Sequence, residues 1–66
     1  PATGKVFIRS PKTIGDVSIF NFSGQQVKLM KNIETNDAEI DISSIKRGLY
    51  FINISSSNKN YKVFFN

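Results

Sequence analysis

The amino-acid sequence predicts an all-β protein, because short runs of alternating apolar and polar residues follow one another along almost the whole chain. Alternation with a period of two places the apolar side chains on one face of a strand. These runs are separated by short stretches rich in glycine, proline, serine and asparagine, which favour turns. Strands that recur about every ten residues are typical of a two-sheet sandwich or a small barrel.

Each predicted strand is defined by its alternating apolar residues. In chain order these are Val6 and Ile8; Val17 and Ile19; Val27 and Leu29; Ile40 and Ile42; Tyr50, Ile52 and Ile54; and Tyr61, Val63 and Phe65. A short edge strand near residues 12–14 would be a seventh. We expect at most one helical turn, over residues 43–47, with Ser43 as its N-terminal cap and Gly48 at its end.

The predicted connections contain residues that favour turns for specific reasons. Ser23-Gly24 separates two alternating runs and predicts a tight hairpin, where glycine tolerates a positive φ. Asn36-Asp37 predicts the turn between the third and fourth strands. Residues 55–60, built of serine, asparagine and lysine, predict a polar hairpin loop.

The size and composition of the chain restrict its chemistry. Its 66 residues make a single domain, residues 1–66, near the lower size limit at which a core alone supports folding. The chain contains neither cysteine nor histidine, which removes the thiol nucleophile, the usual general base and the commonest metal ligand. We therefore expect no enzyme activity, no cofactor and no metal site.

One pair of carboxylates requires separate consideration. Glu39 and Asp41 lie two residues apart, so both project from the same face of a strand. Two neighbouring carboxylates are the arrangement that glycosidases use. Because Ile40 and Ile42 occupy the opposite face, we favour a solvent-exposed face over a catalytic pair.

Charge and aromatic residues leave a second function open. The net charge is +4 and the nine basic residues are scattered, which favours acidic partners without selecting among them. The phenylalanines at 7, 20, 22, 51 and 64 fall mostly opposite the aliphatic face. They form either a stacking platform for sugars or bases, or a structural element that packs in a second layer, lies under the loops or covers the sheet edge; we favour the structural interpretation. The alternative function is therefore a small β-sandwich module that binds carbohydrate or single-stranded nucleic acid.

Three segments, in order, carry a family pattern. Residues 17–27 (VSIFNFSGQQV) match V-x-I-[YF]-[DN]-x-x-G-[KRQ]-x-V, and residues 40–52 (IDISSIKRGLYFI) match I-D-[LI]-S-x-[LI]-x-x-G-x-Y-[FV]-[IV]. A closing strand contains Lys62-Val63, and Pro1-Ala2 is similar to the end of an opening Asn-Pro turn. The chain thus resembles the C-terminal sorting domain of the type IX secretion system (type A, Por secretion family).

The resemblance implies a small immunoglobulin-like β-sandwich of about six to seven antiparallel strands that carries out no catalysis. Such a domain is a C-terminal secretion signal, and this chain would be one fragment of a larger secreted precursor with an N-terminal cargo. The implied partners are the outer-membrane type IX translocon, its shuttle protein and a sortase-like peptidase. The resemblance implies no nucleic-acid partner. The cargo would pass through the periplasm of a Gram-negative bacterium to be secreted or attached to the cell surface. The longest apolar run is too short to span a bilayer, so we expect no transmembrane segment.

The same resemblance selects the residues expected to serve recognition. Gly24 is expected at a positive φ in the hairpin, and Gly48 is expected to end the 43–47 turn in the left-handed region. Tyr50 is expected to point inward, with its hydroxyl bound to a neighbouring loop in the manner of a tyrosine corner. The closing strand would present backbone groups for strand addition. Its residues are Lys62, Val63, Phe64, Phe65 and Asn66.

Overall fold

The computed structural model describes residues 4–66, so the Pro1-Ala2 segment lies outside the described residues. Six strands follow one another, with no helix among the described residues. Their bounds are β1 Lys5–Arg9, β2 Gly15–Asn21, β3 Gln26–Ile33, β4 Asp37–Asp41, β5 Gly48–Ile54 and β6 Lys59–Phe65.

The strands form two antiparallel sheets. One has the order β3-β2-β5-β6 and the other is the pair β1-β4. The chain therefore moves from the small sheet to the large sheet after β1 and returns to the small sheet at β4. It ends with the β5-β6 hairpin in the large sheet. The prediction of a small all-β sandwich is confirmed, with six strands.

The core lies between the sheets, and most of its residues are inward positions that the alternation predicted. Two cross-strand pairs, Val17–Ile54 and Ile19–Ile52, occupy the centre of the large sheet. The opposite sheet contributes Ile8 and Ile40. Each of these side chains is buried, since alternate residues of a half-buried strand point to the same side.

The region predicted as a seventh strand is a connection that contributes to the core. Residues 12–14 form no strand, yet the Ile14 side chain is completely buried. The Ile14 amide donates a hydrogen bond to the Thr35 carbonyl at 2.9 Å, which ties the β1-β2 connection to the β3-β4 connection. A single buried isoleucine, without strand pairing, explains the apolar signal at this position.

The faces of β3 are the reverse of the prediction. Met30 and Lys28 pair with the inward residues Val17 and Ile19, whereas Val27 and Leu29 are 42% and 41% exposed. The β2-β3 register shifts by a residue after Ile19, next to the hairpin. A slip of one residue moves every side chain of a strand to its other face.

Candidate recognition surface

The first motif folds into a hairpin loop centred on Gly24. The Asn21 amide donates to the Gln25 carbonyl at 2.8 Å, and Gly24 has a φ of 85°. This is the three-residue hairpin loop in which a glycine occupies the left-handed position. The tight hairpin and the positive φ predicted for Gly24 are both confirmed.

Sequence reasoning missed the side chain that holds this loop. The Asn21 carboxamide oxygen accepts hydrogen bonds from the Ser23 amide at 3.0 Å and the Gln25 amide at 2.9 Å. Its nitrogen donates to Gln25 Oε1 at 3.0 Å. The recognisable signal was an asparagine followed three residues later by glycine, since asparagine side chains bond to amides two residues ahead.

The second motif begins with a single turn after β4. The Ile45 amide donates to the Ile42 carbonyl at 3.0 Å, and both isoleucines are buried beneath the turn. The prediction that Ser43 caps this turn is wrong. Asp41 Oδ1 instead accepts the Ser43 amide at 2.9 Å, and this hydrogen bond lowers the pKa of the Asp41 carboxyl below its ordinary value. Ionised Asp41 thus fixes the direction in which the chain leaves β4.

Gly48 is the first residue of β5 and follows this turn. Its φ is 151°, an extended conformation with positive φ that is essentially restricted to glycine. The prediction that Gly48 adopts the left-handed helical conformation is therefore wrong, and its extended backbone is already part of β5. Gly48 pairs with Phe65, so this special conformation lies beside the end of β6.

Tyr50 connects the turn to the last strand. Its hydroxyl donates a hydrogen bond to the Lys46 carbonyl at 2.6 Å, which confirms the predicted attachment to a neighbouring loop. Its ring stacks on Phe65, with the ring centroids 5.0 Å apart and the planes at 21°. The tyrosine is buried, so its hydroxyl stabilises the fold from inside the sandwich.

The closing strand β6 lies at the edge of the large sheet and pairs only with β5 among the described strands. Val63 is half-buried and Phe65 is buried against the core. Lys62 and Asn66 are exposed, and Phe64 is 61% exposed. The five predicted residues therefore divide into two that anchor the strand and three that are accessible to a partner.

Strand register brings the predicted residues to one end of the sandwich. Asn21 pairs with Tyr50, and Gly48 pairs with Phe65, so the Gly24 hairpin, the turn after β4 and the end of β6 are neighbours. We call residues 21–25, 42–50 and 62–66 the motif end. The residues of the motif end include three lysines or arginines (Lys46, Arg47 and Lys62) and no aspartate or glutamate, so this end is basic.

The outer face of the large sheet carries aromatic residues next to the motif end. Phe20 pairs with Phe51, and Leu49 pairs with Phe64, on the side away from the core. Burial in a second packed layer or under the loops is wrong for Phe64 and also for Phe7 and Phe22, which are 74% and 77% exposed. Phe7 and Phe64 lie on the edge strands β1 and β6.

The paired carboxylates of β4 lie on its solvent face. Lys5 Nζ lies 2.7 Å from Glu39 Oε2, and this hydrogen bond raises the pKa of the lysine. Asp41 holds the following turn, as described above. The interpretation of Glu39 and Asp41 as a solvated strand face is therefore confirmed. Within residues 4–66 no cluster of three or more His, Cys, Asp or Glu side chains is placed to hold a metal.

These features define a small β-sandwich whose sequence motifs converge on one basic end and one open sheet edge. The chain belongs to the family of secretion system C-terminal sorting domains, whose model matches residues 1–65. It is thus a sorting-signal domain of the type IX secretion system, and the match favours this function over a sugar- or nucleic-acid-binding module. Neither the curated proteins nor the solved structures include a match to the chain. Over residues 4–66, no helix has the length and apolarity to cross a membrane.

Proposed function

We propose that this domain directs an N-terminally fused cargo protein from the periplasm to the outer-membrane translocon of the type IX system, for release or attachment at the cell surface of a Gram-negative bacterium. The observation that carries the proposal is the family match over residues 1–65. The domain acts as a folded label and performs no catalysis. A shuttle protein and a sortase-like peptidase are the further partners that such a route requires.

The motif end is the surface that we assign to recognition. Phe64 and Lys62 project outward from an edge strand, while Phe65 on the same strand stacks on Tyr50 inside the fold. A partner can therefore contact the exposed residues without unfolding the domain. Asn66 follows directly and is also exposed. Specific contacts of this kind depend on a rigid support, because an ordered surface loses less entropy on binding.

Gly24, Gly48 and Tyr50 have a supporting role in this proposal. Each holds a segment of the motif end in place, through a positive φ at the glycines and through the hydrogen bond to Lys46 at the tyrosine. Substitutions at these residues would disturb export indirectly, by displacing the exposed residues of β6.

The proposal is tested by fusing residues 1–66 to the C-terminus of a periplasm-directed fluorescent protein in a host with a functional type IX system. We expect fluorescence at the cell surface or in the medium, and its loss when the translocon is deleted. If the fusion stays in the periplasm while a known sorting domain exports the same reporter, the proposal is wrong.

Matched variants separate recognition from folding. Lys62→Ala and Phe64→Ala remove exposed side chains, so we expect the purified domain to remain folded while export decreases. Phe65→Ala removes a buried ring and should reduce both stability and export. Export that is unaffected by the double variant of Lys62 and Phe64 would exclude this part of β6 from recognition.

A further inference from the structure

The two open sides of the sandwich, one between β3 and β4 and the other between β1 and β6, differ in how the sheets are connected. On the side where β3 faces β4, the chain itself connects the sheets, and Lys28 Nζ donates to the Asp41 carbonyl at 3.0 Å. On the opposite side, β1 and β6 are not joined, and a groove of about 260 Å³ runs between them. Six inward residues of β1, β5 and β6 form its apolar wall: Val6, Ile8, Ile52, Ile54, Tyr61 and Val63.

Both strands that border this groove have an unpaired edge. Among the described strands, β1 pairs only with β4, and β6 pairs only with β5. The backbone amides and carbonyls along these edges can therefore bond to an added strand, which lies about 4.8 Å from its neighbour. A groove flanked by free strand edges suits an extended chain, because alternate side chains of that chain would point into the apolar wall.

The charged residues near the groove indicate what kind of extended segment it can bind. Among residues 4–66, Arg9 is the only charged residue that lines it; its side chain lies on the exposed face of β1, where Asp37 is its cross-strand neighbour and makes no ion pair with it. Lys59 begins β6 and pairs with Ile54, which places a second cation on the strand at the border of the groove. The groove is thus complementary to a segment that combines apolar side chains with a carboxylate.

We infer that the groove between β1 and β6 accepts an extended segment of a partner protein, added as a β-strand, with alternating aliphatic side chains and an acidic residue placed to meet Arg9. The inference rests on the proposed function, in that the segment would belong to the export machinery. It assigns to recognition the inward face of β6, around Tyr61 and Val63, in addition to the exposed residues of the motif end.

The test uses the 66-residue chain, labelled for NMR, and a synthetic peptide that alternates valine with threonine and aspartate. One control peptide carries lysine in place of aspartate, and another has the same composition without alternation. We expect saturable shifts of the β1 and β6 amide signals with the acidic alternating peptide. The lysine peptide should bind about tenfold more weakly, because its cations would be repelled by Arg9 and Lys59.

A pair of variants in β6 provides the matched control. Tyr61→Glu places a charge on the inward, groove-lining face, where the tyrosine is 45% exposed and its replacement need not unfold the domain. Asn60→Glu adds the same charge one residue away, on the outer face where Asn60 pairs with Asn53. With folding verified by circular dichroism, Tyr61→Glu should weaken the peptide about tenfold and Asn60→Glu should leave it unchanged.

Several results would overturn the inference. These are the absence of saturable shifts, equal binding of the peptide without alternation, and equal weakening by both glutamate variants. A concentration-dependent dimer of the chain that Tyr61→Glu abolishes would assign the groove to a second copy instead.

The export assay distinguishes this inference from the proposed function. If the wild-type fusion is exported and the Tyr61→Glu fusion is exported equally well, the groove has no part in recognition and the sorting function stands. If the peptide binds but the wild-type fusion is not exported, the sorting function fails, and the strand-binding chemistry of the groove is supported.

Discussion

The Tyr50 ring stacks on the Phe65 ring with a centroid separation of 5.0 Å, and this contact connects the second sequence motif to the last strand. The same tyrosine donates its hydroxyl to the Lys46 carbonyl, so one side chain holds both the turn before β5 and the end of β6. The position of the proposed recognition strand thus depends on a residue that is itself buried.

Tyr50→Phe should keep the stacked ring and remove only the hydrogen bond to Lys46. We expect the free energy of unfolding to fall by about 1 kcal/mol, the usual net value of one such bond. Phe65→Ala should cost about 3–5 kcal/mol, because it leaves a cavity in the core. Urea denaturation of the two variants measures this difference, and similar losses would mean that the hydrogen bond contributes as much to stability as the buried Phe65 ring.

Ile14→Ala tests whether a residue outside the strands belongs to the core. Because Ile14 is completely buried, we expect a loss of about 2–5 kcal/mol in the free energy of unfolding. For a domain of this size, whose whole stability is about 3–10 kcal/mol, such a loss removes a large share of the free energy of unfolding. Val27→Ala, at an exposed outer position of β3, is the control and should change stability by less than about 1 kcal/mol.

Two glycines with similar backbone angles should differ in their tolerance of alanine. Gly24 has a φ of 85° and open space where a Cβ would lie, so Gly24→Ala should cost about 1 kcal/mol from backbone strain alone. At Gly15, with a φ of 78°, an added Cβ would lie 2.9 Å from Ser55 Oγ. That oxygen is held in place because it accepts the Asp16 amide at 2.8 Å.

Gly15→Ala should therefore be the more destabilising substitution, by about a further 1 kcal/mol or more. Thermal unfolding of both variants checks the order. Equal losses would show that Ser55 moves away freely and that strain at positive φ is the whole effect.

Asp41 should make the stability of the domain depend on pH. The Ser43 amide holds the pKa of the Asp41 carboxyl below its ordinary value of 3.8. A depressed pKa in the folded state stabilises the fold above the ordinary pKa, and this contribution is lost as the pH falls through the folded pKa. The wild type should thus melt at a higher temperature than Asp41→Asn at neutral pH, and the difference should fade in acid. A difference that persists unchanged in acid would contradict a role for the charge.

Local patterns in the sequence were sufficient for the elements and for most of the core. The alternation at Val17 and Ile19, and at Ile52 and Ile54, placed these residues inward correctly, because a strand with one buried face needs apolar residues at every second position. The positive φ at Gly24 was also predictable, since only a few residue types adopt that conformation readily.

Other features depended on contacts between distant parts of the chain. Val27 and Leu29 follow the same alternation as the core strands, yet the register set by the Asn21–Gly24 hairpin turns them outward. The sequence around Ile14 predicts an edge strand, and only the packing of two connections against each other shows that Ile14 is a core residue.

The sequence by itself determined the strands, the turns and the family, because these follow from residues close together along the chain and from their order. Only the tertiary structure decided which motif residues meet, since strand register alone brings Gly24, Gly48 and Phe65 to one end. It also decided that the β1–β6 side stays open, with Tyr61 and Val63 in its wall. A groove of this kind depends on how two sheets of unequal width are stacked, and the alternation of residues within one strand contains no information about that.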